Sequence, residues 1–169
     1  MKKLMMIAAM MLMSIGAFAQ AGKMAVGANL GFASYGDNAG ESYSPFGIGA
    51  KFQYEFVENI RGEVAYNYWF PKDKAGVMDF DLNFQYLFPV AEDIKIYPLA
   101  GVNLAMQHGD MDDKESIFGF NAGAGAEYYL SEQLKLNLDI KYQYNKKTKD
   151  GWEYKFDGPV FQLGIAYVF

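Results

Sequence analysis

Large apolar residues recur at every second position along most of the chain, which is the pattern of β-strands with two unlike faces. The alternation is clearest in the final segment, FQLGIAYVF, where Phe161, Leu163, Ile165, Tyr167 and Phe169 alternate with small or polar residues. Eight such segments are present: Met24–Phe32, Phe46–Phe56, Ile60–Phe70, Val77–Phe88, Ile94–Met106, Ile117–Leu130, Leu134–Asn145 and the tail from Val160. No segment of helical period interrupts them, so the pattern predicts an all-β fold.

The connections between the predicted strands alternate between short and long. The short ones are 57–59, 89–93 and 131–133, and the longer ones are 34–45, 71–76, 107–116 and 146–158. Successive strands joined in this way form an antiparallel meander, and eight of them can close into a barrel without free edges. All short turns then fall at one end of the barrel and all longer loops at the other.

The alternation by itself allows two barrels, one soluble with its apolar face inside and one membrane-spanning with its apolar face outside. Aromatic residues of the apolar face concentrate near strand ends, with aliphatic residues between them. The strand from Ile117 runs from Phe118 and Phe120 through three alanines to Tyr128. The strand from Ile94 departs from this pattern, because its apolar face has no aromatic residue and contains Pro98.

Aromatic belts around an aliphatic band match the two interfaces of a membrane. Most of the predicted strands have about 9–12 residues, close to the length that a tilted membrane strand needs. We therefore predict an eight-stranded antiparallel up-and-down transmembrane β-barrel, with Ala124, Leu138 and Ile140 toward lipid and Asn121, Glu127 and Asp139 toward the lumen.

The first residues, MKKLMMIAAMMLMSIGAFAQ, predict a cleavable signal peptide. Lys2 and Lys3 precede an apolar run from Leu4 to Phe18, and the triplet from Ala17 to Ala19 is a small-residue cleavage site. We expect residues 1–19 to be the signal peptide and residues 20–169 to be one barrel domain. No cysteine is present, so we expect neither disulfides nor a lipid anchor on cysteine.

The charge balance of the expected mature chain is acidic. The chain has 15 Lys and Arg residues and 20 Asp and Glu residues, and cleavage removes two of the lysines. An acidic protein lacks the basic surface with which nucleic acid is bound, so we expect no nucleic-acid partner.

The chain resembles the small eight-stranded outer-membrane barrels of bacteria, such as OmpX and the barrel domain of OmpA. The resemblance lies in the strand count, the alternating loop lengths and the terminal YVF. It implies a location in the outer membrane, with the lipid bilayer and lipopolysaccharide as contacts. It also implies that Ile165, Tyr167 and Phe169 form a signal for the barrel-assembly machinery. No segment follows Phe169, so we expect no peptidoglycan-binding domain.

The predicted lumen face carries an almost balanced set of charges. Its members are Lys51, Glu55, Arg61, Glu63, Asp79, Asp81, Lys95, Glu127, Lys135, Asp139 and Lys141. Buried charges are costly unless they are paired, and an eight-stranded barrel is just wide enough for side chains to fill it. We expect a network of ion pairs that plugs the lumen, and the alternative is an ion path through that network.

Candidate chemistry outside the lumen is sparse. His108 is the only histidine and lies in a predicted loop with no serine beside it, so we expect no catalytic residues. Asp110, Asp112, Asp113 and Glu115 lie in the same loop, but their spacing is not that of a calcium-binding loop. We expect a solvated acidic loop, with a divalent-cation site as the alternative, and we expect no cofactor.

The two longest loops contain aromatic residues that could contact other molecules: Tyr35, Tyr43, Trp152 and Tyr154. Exposed aromatic residues among Gly, Asp and Lys suit contact with a protein or a glycan. The leading hypothesis is a non-enzymatic barrel with a structural or surface-interaction role. A narrow pore for ions or small solutes is the alternative, and an enzyme that hydrolyses lipids or peptides is a third hypothesis.

Overall fold

A computed structural model describes residues 22–36, 42–70, 76–108, 116–149 and 152–169. For residues 42–43, 107–108, 147–149 and 152–156 only the backbone is described. The predicted signal peptide, residues 1–19, lies outside the described residues. Among the residues that the structure describes, no helix is long and apolar enough to cross a membrane.

Eight long strands form one closed antiparallel barrel. They are β1 (Met24–Ala33), β2 (Phe46–Val57), β3 (Ile60–Trp69), β4 (Gly76–Tyr86), β5 (Ile94–His108), β6 (Ser116–Ser131), β7 (Leu134–Lys149) and β8 (Trp152–Val168). Each strand pairs with the next along the chain, and β1 pairs with β8, with Ala28 opposite Ile165, to close the barrel. The predicted fold class and strand order are confirmed.

Three further pairs of residues are in extended, paired conformation outside the long strands. Tyr35–Gly36 and Ser42–Tyr43 pair with each other above β1, and Gly36 also pairs with β8. Phe88–Pro89 pairs with β5 after a break at Leu87, whose N–H is bonded to the carbonyl of Asn59. The predicted fourth strand, which ran on to Phe88, is thus interrupted at its turn end.

The hairpin of β7 and β8 is longer than the sequence pattern predicted. Lys149 is paired with Trp152, so the strands run through most of the segment 146–158 that was predicted as a loop. On β7 the apolar alternation stops at Tyr144, and the residues from Asn145 to Lys149 are all polar. Pairing of the backbone does not require that alternation, so the two strands continue beyond it.

The outside of the barrel is apolar and its inside is polar. Among the described residues, thirty-two large hydrophobic side chains are exposed, whereas twenty polar or charged side chains are buried. Leu138 and Ile140 are 46% and 47% exposed, and Asn121, Glu127 and Asp139 are each at most 3% exposed. The predicted orientation of the two faces is confirmed. A wall of this kind needs lipid to cover it, because without lipid a continuous apolar surface would be exposed to water.

Aromatic side chains flank this wall at both ends. Phe32 stacks on Phe161 near the loop end, with ring centroids 5.0 Å apart. Tyr167 and Phe169 meet edge to face near the turn end, with centroids 5.2 Å apart. The two groups lie where the interfaces of a bilayer would meet the barrel.

Candidate functional site in the barrel interior

The inward positions of the eight strands converge on a narrow interior that is filled by polar side chains. Alternation along each strand directs every second residue inward, so residues far apart in the chain meet across the barrel. The charges fall into three groups along the axis, which we name the lower, middle and upper groups, counted from the turn end.

The lower group is centred on Glu127. Its Oε2 lies 2.7 Å from Arg61 Nη1 and 2.8 Å from Lys135 Nζ. Tyr129 donates its hydroxyl to Oε1 of the same carboxylate at 3.2 Å, and Arg61 Nε donates to Gln85 at 2.6 Å. One carboxylate therefore forms ion pairs with two buried cations, which are brought to it from β3 and β7.

The middle group is centred on Lys51. Its Nζ lies 2.6 Å from Asp139 Oδ2 and 3.6 Å from Glu63 Oε2. The hydroxyl of Tyr97 donates to Asp139 Oδ1 at 2.5 Å, and Gln53 donates to Glu63 at 2.7 Å. Neutral donors thus satisfy the oxygens that the single ammonium does not reach.

The upper group holds two carboxylates on one strand. Asp81 forms an ion pair with Lys141 and also accepts from Asn121 at 2.9 Å. Asp79 accepts from Gln143 Nε2 at 2.8 Å. Tyr35 donates its hydroxyl to Gln143 Oε1 at 2.5 Å, so a residue beyond the end of β1 is connected to this group.

The three main ion pairs cross the barrel rather than joining neighbouring strands. Arg61–Glu127 joins β3 to β6, Lys51–Asp139 joins β2 to β7, and Lys141–Asp81 joins β7 to β4. Breaking one partner would leave a buried charge unpaired, which is far costlier than losing an exposed pair. The pairs therefore stabilise the barrel across its lumen.

Apolar side chains lie above and below the polar groups. A cluster at the loop end contains Ala33, Tyr35, Trp69, Val77, Ala105 and Val160. Ala25, Ala166 and Val168 pack with Tyr129 at the turn end, and Leu87, Tyr97 and Leu99 form a further cluster in that half. The polar groups are thus enclosed axially as well as by the wall.

Tyr35 belongs to the loop-end cluster, which corrects the prediction that it contacts molecules outside the barrel. Its side chain is only 3% exposed and meets the Trp69 ring edge to face. Burial, followed by the nearby carboxylates of Asp79 and Asp81, raises the pKa of the Tyr35 hydroxyl well above its usual range. Tyr35 therefore stays protonated and donates to Gln143.

Glu55 and Lys95 were predicted in the lumen network and lie at its edge. Glu55 is half-buried and accepts the backbone N–H of Asn59 in the β2–β3 turn at 3.2 Å. Lys95 is half-buried, with its Nζ 5.3 Å from the centroid of the Tyr129 ring. Among the side chains that the structure describes, neither has an opposite charge within 4.0 Å.

The loop-end candidates are only partly described. Tyr43, Trp152 and Tyr154 are in extended backbone, and their side chains lie outside the described residues. His108 ends β5 opposite Gly76 rather than lying in a loop, and its side chain is not described either. The acidic residues of segment 110–115 lie outside the described residues. Within the described part of the chain, no group of three or more Asp, Glu or His side chains could hold a metal ion.

The tail residues are placed on the outer wall. Ile165 and Tyr167 lie on β8 at 45% and 44% exposure, and Phe169 follows at 55% exposure. The N–H of Phe169 is bonded to the carbonyl of Met24 at 2.9 Å, so the chain stays paired with β1 to its last residue.

Sequence reasoning missed the inward aromatic residues. The Tyr97 hydroxyl donates a hydrogen bond to Asp139, and the centroid of its ring lies 5.0 Å from Cζ of Arg61. The Trp69 side chain is 1% exposed. The signal was present, because both occupy inward positions of their strands. Neither was named among the predicted lumen residues, which were selected for their charge, although a narrow barrel also needs large side chains to fill its ends.

Comparisons with known proteins agree with this architecture. A family model described as outer membrane protein beta-barrel domain matches residues 5–169. Neisserial surface protein A is 16% identical and has a TM-score of 0.74, with 85% of this chain and 96% of that chain covered. The N-terminal β-barrel domain of Pseudomonas aeruginosa OprF has 16% identity and a TM-score of 0.60, over 85% and 97% of the two chains.

A third structure is similar over a comparable span. Ail, the attachment invasion locus protein of Yersinia pestis, is 16% identical with a TM-score of 0.56, and 88% of this chain and 99% of that chain are covered. It is also known in complex with the heparin analogue sucrose octasulfate. No curated protein matches the chain. At these identities the likeness shows a shared fold.

Proposed function

The chain belongs to the outer membrane protein β-barrel domain family, and on that premise we propose that it is a non-conducting outer-membrane barrel with a structural or surface-interaction role. The observation that carries the proposal is the filled interior. Three ion pairs cross the lumen, and apolar clusters lie at both of its ends. The bore of a barrel is set by its number of strands, and eight leave little space beyond that taken by side chains.

We expect no steady channel when the refolded protein is inserted into planar lipid bilayers. An ion that entered would have to displace paired charges and pass the apolar cluster around Trp69 and Tyr35. The measurement is single-channel conductance in symmetric salt, with the Lys51→Glu and Glu127→Lys variants recorded in parallel. A stable conductance whose ion selectivity shifts in these variants would support the narrow-pore alternative and contradict a plugged lumen.

The surface role is proposed for the loop end of the barrel. The β7–β8 hairpin extends through Lys149 and Trp152, beyond the apolar wall. Trp152 and Tyr154 lie on this hairpin, and Tyr43 lies at the same end. Ail, which shares the fold, is known with a sulfated heparin analogue bound. We propose that this end contacts an extracellular protein or glycan, with lipopolysaccharide beside it in the outer leaflet.

We also propose that the protein is not an enzyme and that residues 1–19 direct its export. The family and fold are those of outer-membrane barrels, which supports the first point. Lys2 and Lys3, the apolar run and the small-residue triplet ending at Ala19 support the second.

The assembly machinery is a further proposed partner, and Phe169→Ala tests it. We expect a thermodynamic loss of about 1–3 kcal/mol, because an aromatic ring at the interface buries only part of its area. We expect a larger loss in cells, with less folded protein in the outer membrane, since the change removes the proposed signal. The measurement is heat-modifiable migration on gels, for protein refolded in detergent and for protein from cells.

Leu163→Ala is the matched control for the tail. Leu163 lies on the same strand face and is 58% exposed, close to the 55% of Phe169. We expect Leu163→Ala to lower the free energy of unfolding. We expect it to reduce accumulation in the outer membrane only as far as that lower stability accounts for. Normal accumulation of the Phe169→Ala protein in the outer membrane would rule out the assembly signal and leave Phe169 as one aromatic residue of the belt.

A further inference from the structure

The lipid-facing wall of the barrel contains an apolar groove toward the turn end, on the side formed by β5 to β8. The groove has a volume of about 250 Å³, and its outward-facing lining residues are Ile94, Ala126, Tyr128, Leu136, Leu138 and Leu163. Because these residues belong to the outer wall, the occupant of the groove comes from the bilayer and not from the lumen. The groove is therefore independent of whether the barrel conducts.

The groove arises where one small side chain lies among large ones. Strand pairing places Ala126 of β6 in one row with Ile96, Leu138 and Leu163. These three large side chains are between 45% and 58% exposed, so they project from the wall on both sides of the Ala126 methyl group. Tyr128, the next outward residue of β6, lines the turn end of the groove.

A strip of small side chains continues along β6 from the groove toward the loop end. Ala124 and Ala122 are exposed on the outer face, and they lie opposite Pro98 and Ala100 of β5. From Ala122 to Ala126 the strip is about 14 Å long, at roughly 3.4 Å per residue. A narrow, unbranched chain can lie along it, whereas an empty hollow would forfeit dispersion contacts. Acyl chains surround this wall, so the shape and the location of the groove favour an acyl chain as its occupant.

Acidic side chains lie at the turn end of the groove. Asp93 directly precedes the groove residue Ile94, and its carbonyl accepts from the backbone N–H of Tyr129 at 2.8 Å. Glu92 is in the same turn, Glu132 is in the turn between β6 and β7, and all three acidic side chains are exposed. Among the side chains that the structure describes, none of the three has a basic group within 4.0 Å.

The basic residues of this region are directed into the barrel. Lys135 is buried and forms an ion pair with Glu127, and Lys95 is half-buried with its Nζ 5.3 Å from the centroid of the Tyr129 ring. The exposed charges that the structure describes beside the groove are therefore negative. They would repel a lipid headgroup of net negative charge and attract one that carries an ammonium group.

We propose that the groove is a binding site for one phospholipid of the inner leaflet whose headgroup carries an amine, such as phosphatidylethanolamine. The short turns of an outer-membrane barrel face the periplasm, which places the turn end of the groove in the inner leaflet. One acyl chain lies along Ala126 between Ile96 and Leu138. The phosphate lies near the hydroxyl of Tyr128, because tyrosine favours the level of the headgroups, and the ammonium lies near Asp93.

The first test is native mass spectrometry of the unchanged protein, purified in a mild detergent with equimolar phosphatidylethanolamine and phosphatidylglycerol of identical acyl chains. We expect one retained phospholipid per barrel, with the ethanolamine form favoured roughly two- to fivefold, the range for an exposed ion pair. The absence of retained lipid would overturn the proposal, and equal retention of both lipids would overturn the assigned headgroup. A species of two chains without lipid would assign the groove to a second copy of the chain and overturn the proposal as well.

Ala126→Phe fills the groove, and Ala50→Phe is its matched control. Ala50 is an exposed alanine of the outer wall on β2, opposite Ala28 and Tyr66. We expect Ala126→Phe to lower the retained phospholipid at least about fivefold, since the ring takes the space of the acyl chain, and Ala50→Phe to keep it. Heat-modifiable migration verifies that both variants are folded. Equal retention in the two folded variants would place the lipid elsewhere on the wall and overturn the site.

The double variant Glu92→Gln and Asp93→Asn separates the headgroup from the acyl chain. We expect it to retain one phospholipid with little preference between the two headgroups, because the acyl-chain contacts remain and two negative charges are removed. Glu58→Gln, at an exposed glutamate of the β2–β3 turn, is the control and should keep the preference. A double variant that kept the full preference would contradict the contact between the ammonium and Asp93.

Discussion

Glu127→Gln is expected to lower the free energy of unfolding by about 3–5 kcal/mol, the cost of removing one partner from a buried ion pair. The change keeps the size of the side chain but removes the negative charge that pairs with both Arg61 and Lys135. Two cations would then remain in a region shielded from water. The measurement is urea-dependent unfolding in lipid vesicles, followed by the heat-modifiable shift on gels.

Glu55→Gln is the matched control for this change. Glu55 is a half-buried glutamate at the β2–β3 turn and has no ion pair within 4.0 Å among the described side chains. We expect it to cost less than about 1 kcal/mol, as is usual for one hydrogen bond at a partly exposed site. Similar losses of unfolding free energy in the two variants would mean that the ion pairs of the lower group do not stabilise the barrel.

Leu138→Arg is expected to destabilise the membrane-inserted barrel by about 2–4 kcal/mol more than Leu130→Arg. The cost of arginine on the lipid face is greatest at the bilayer midplane and falls to about 0–1 kcal/mol near the interfaces. Leu138 lies in the aliphatic part of β7, opposite Leu163 and Ala126, whereas Leu130 is next to the turn that follows β6.

The two leucines are matched in type and exposure, at 46% and 51%. The measurement is the difference between the two variants in unfolding free energy in vesicles of one lipid. Equal costs would show that depth in the bilayer does not determine the penalty. A cost near zero for both would contradict the placement of the apolar wall against lipid.

The sequence by itself determined the strand number, the antiparallel order and the orientation of the two faces. A period of two assigns each residue to a face, and this assignment is local, so it needs no knowledge of the partner strand. Leu138 and Glu127 illustrate this point, because each lies on the predicted side of the wall.

Strand ends were predicted less well than strand cores. The hairpin through Lys149 and Trp152 was predicted as a loop, because residues 145–149 on its β7 side no longer alternate between apolar and polar. Alternation reports the contrast between lipid and lumen, and that contrast ends where the hairpin leaves the apolar band. Strand pairing itself depends on backbone hydrogen bonds, which continue beyond it.

Only the tertiary structure decided which interior charges meet. Arg61 and Glu127 are 66 residues apart, and their pairing depends on how the two intervening strands, β4 and β5, place them across the lumen. The same closure put Tyr35 and Trp69 inside as an apolar layer. The physical reason is that a face assignment follows from one strand, whereas a contact across the barrel depends on the register of every strand between the two residues.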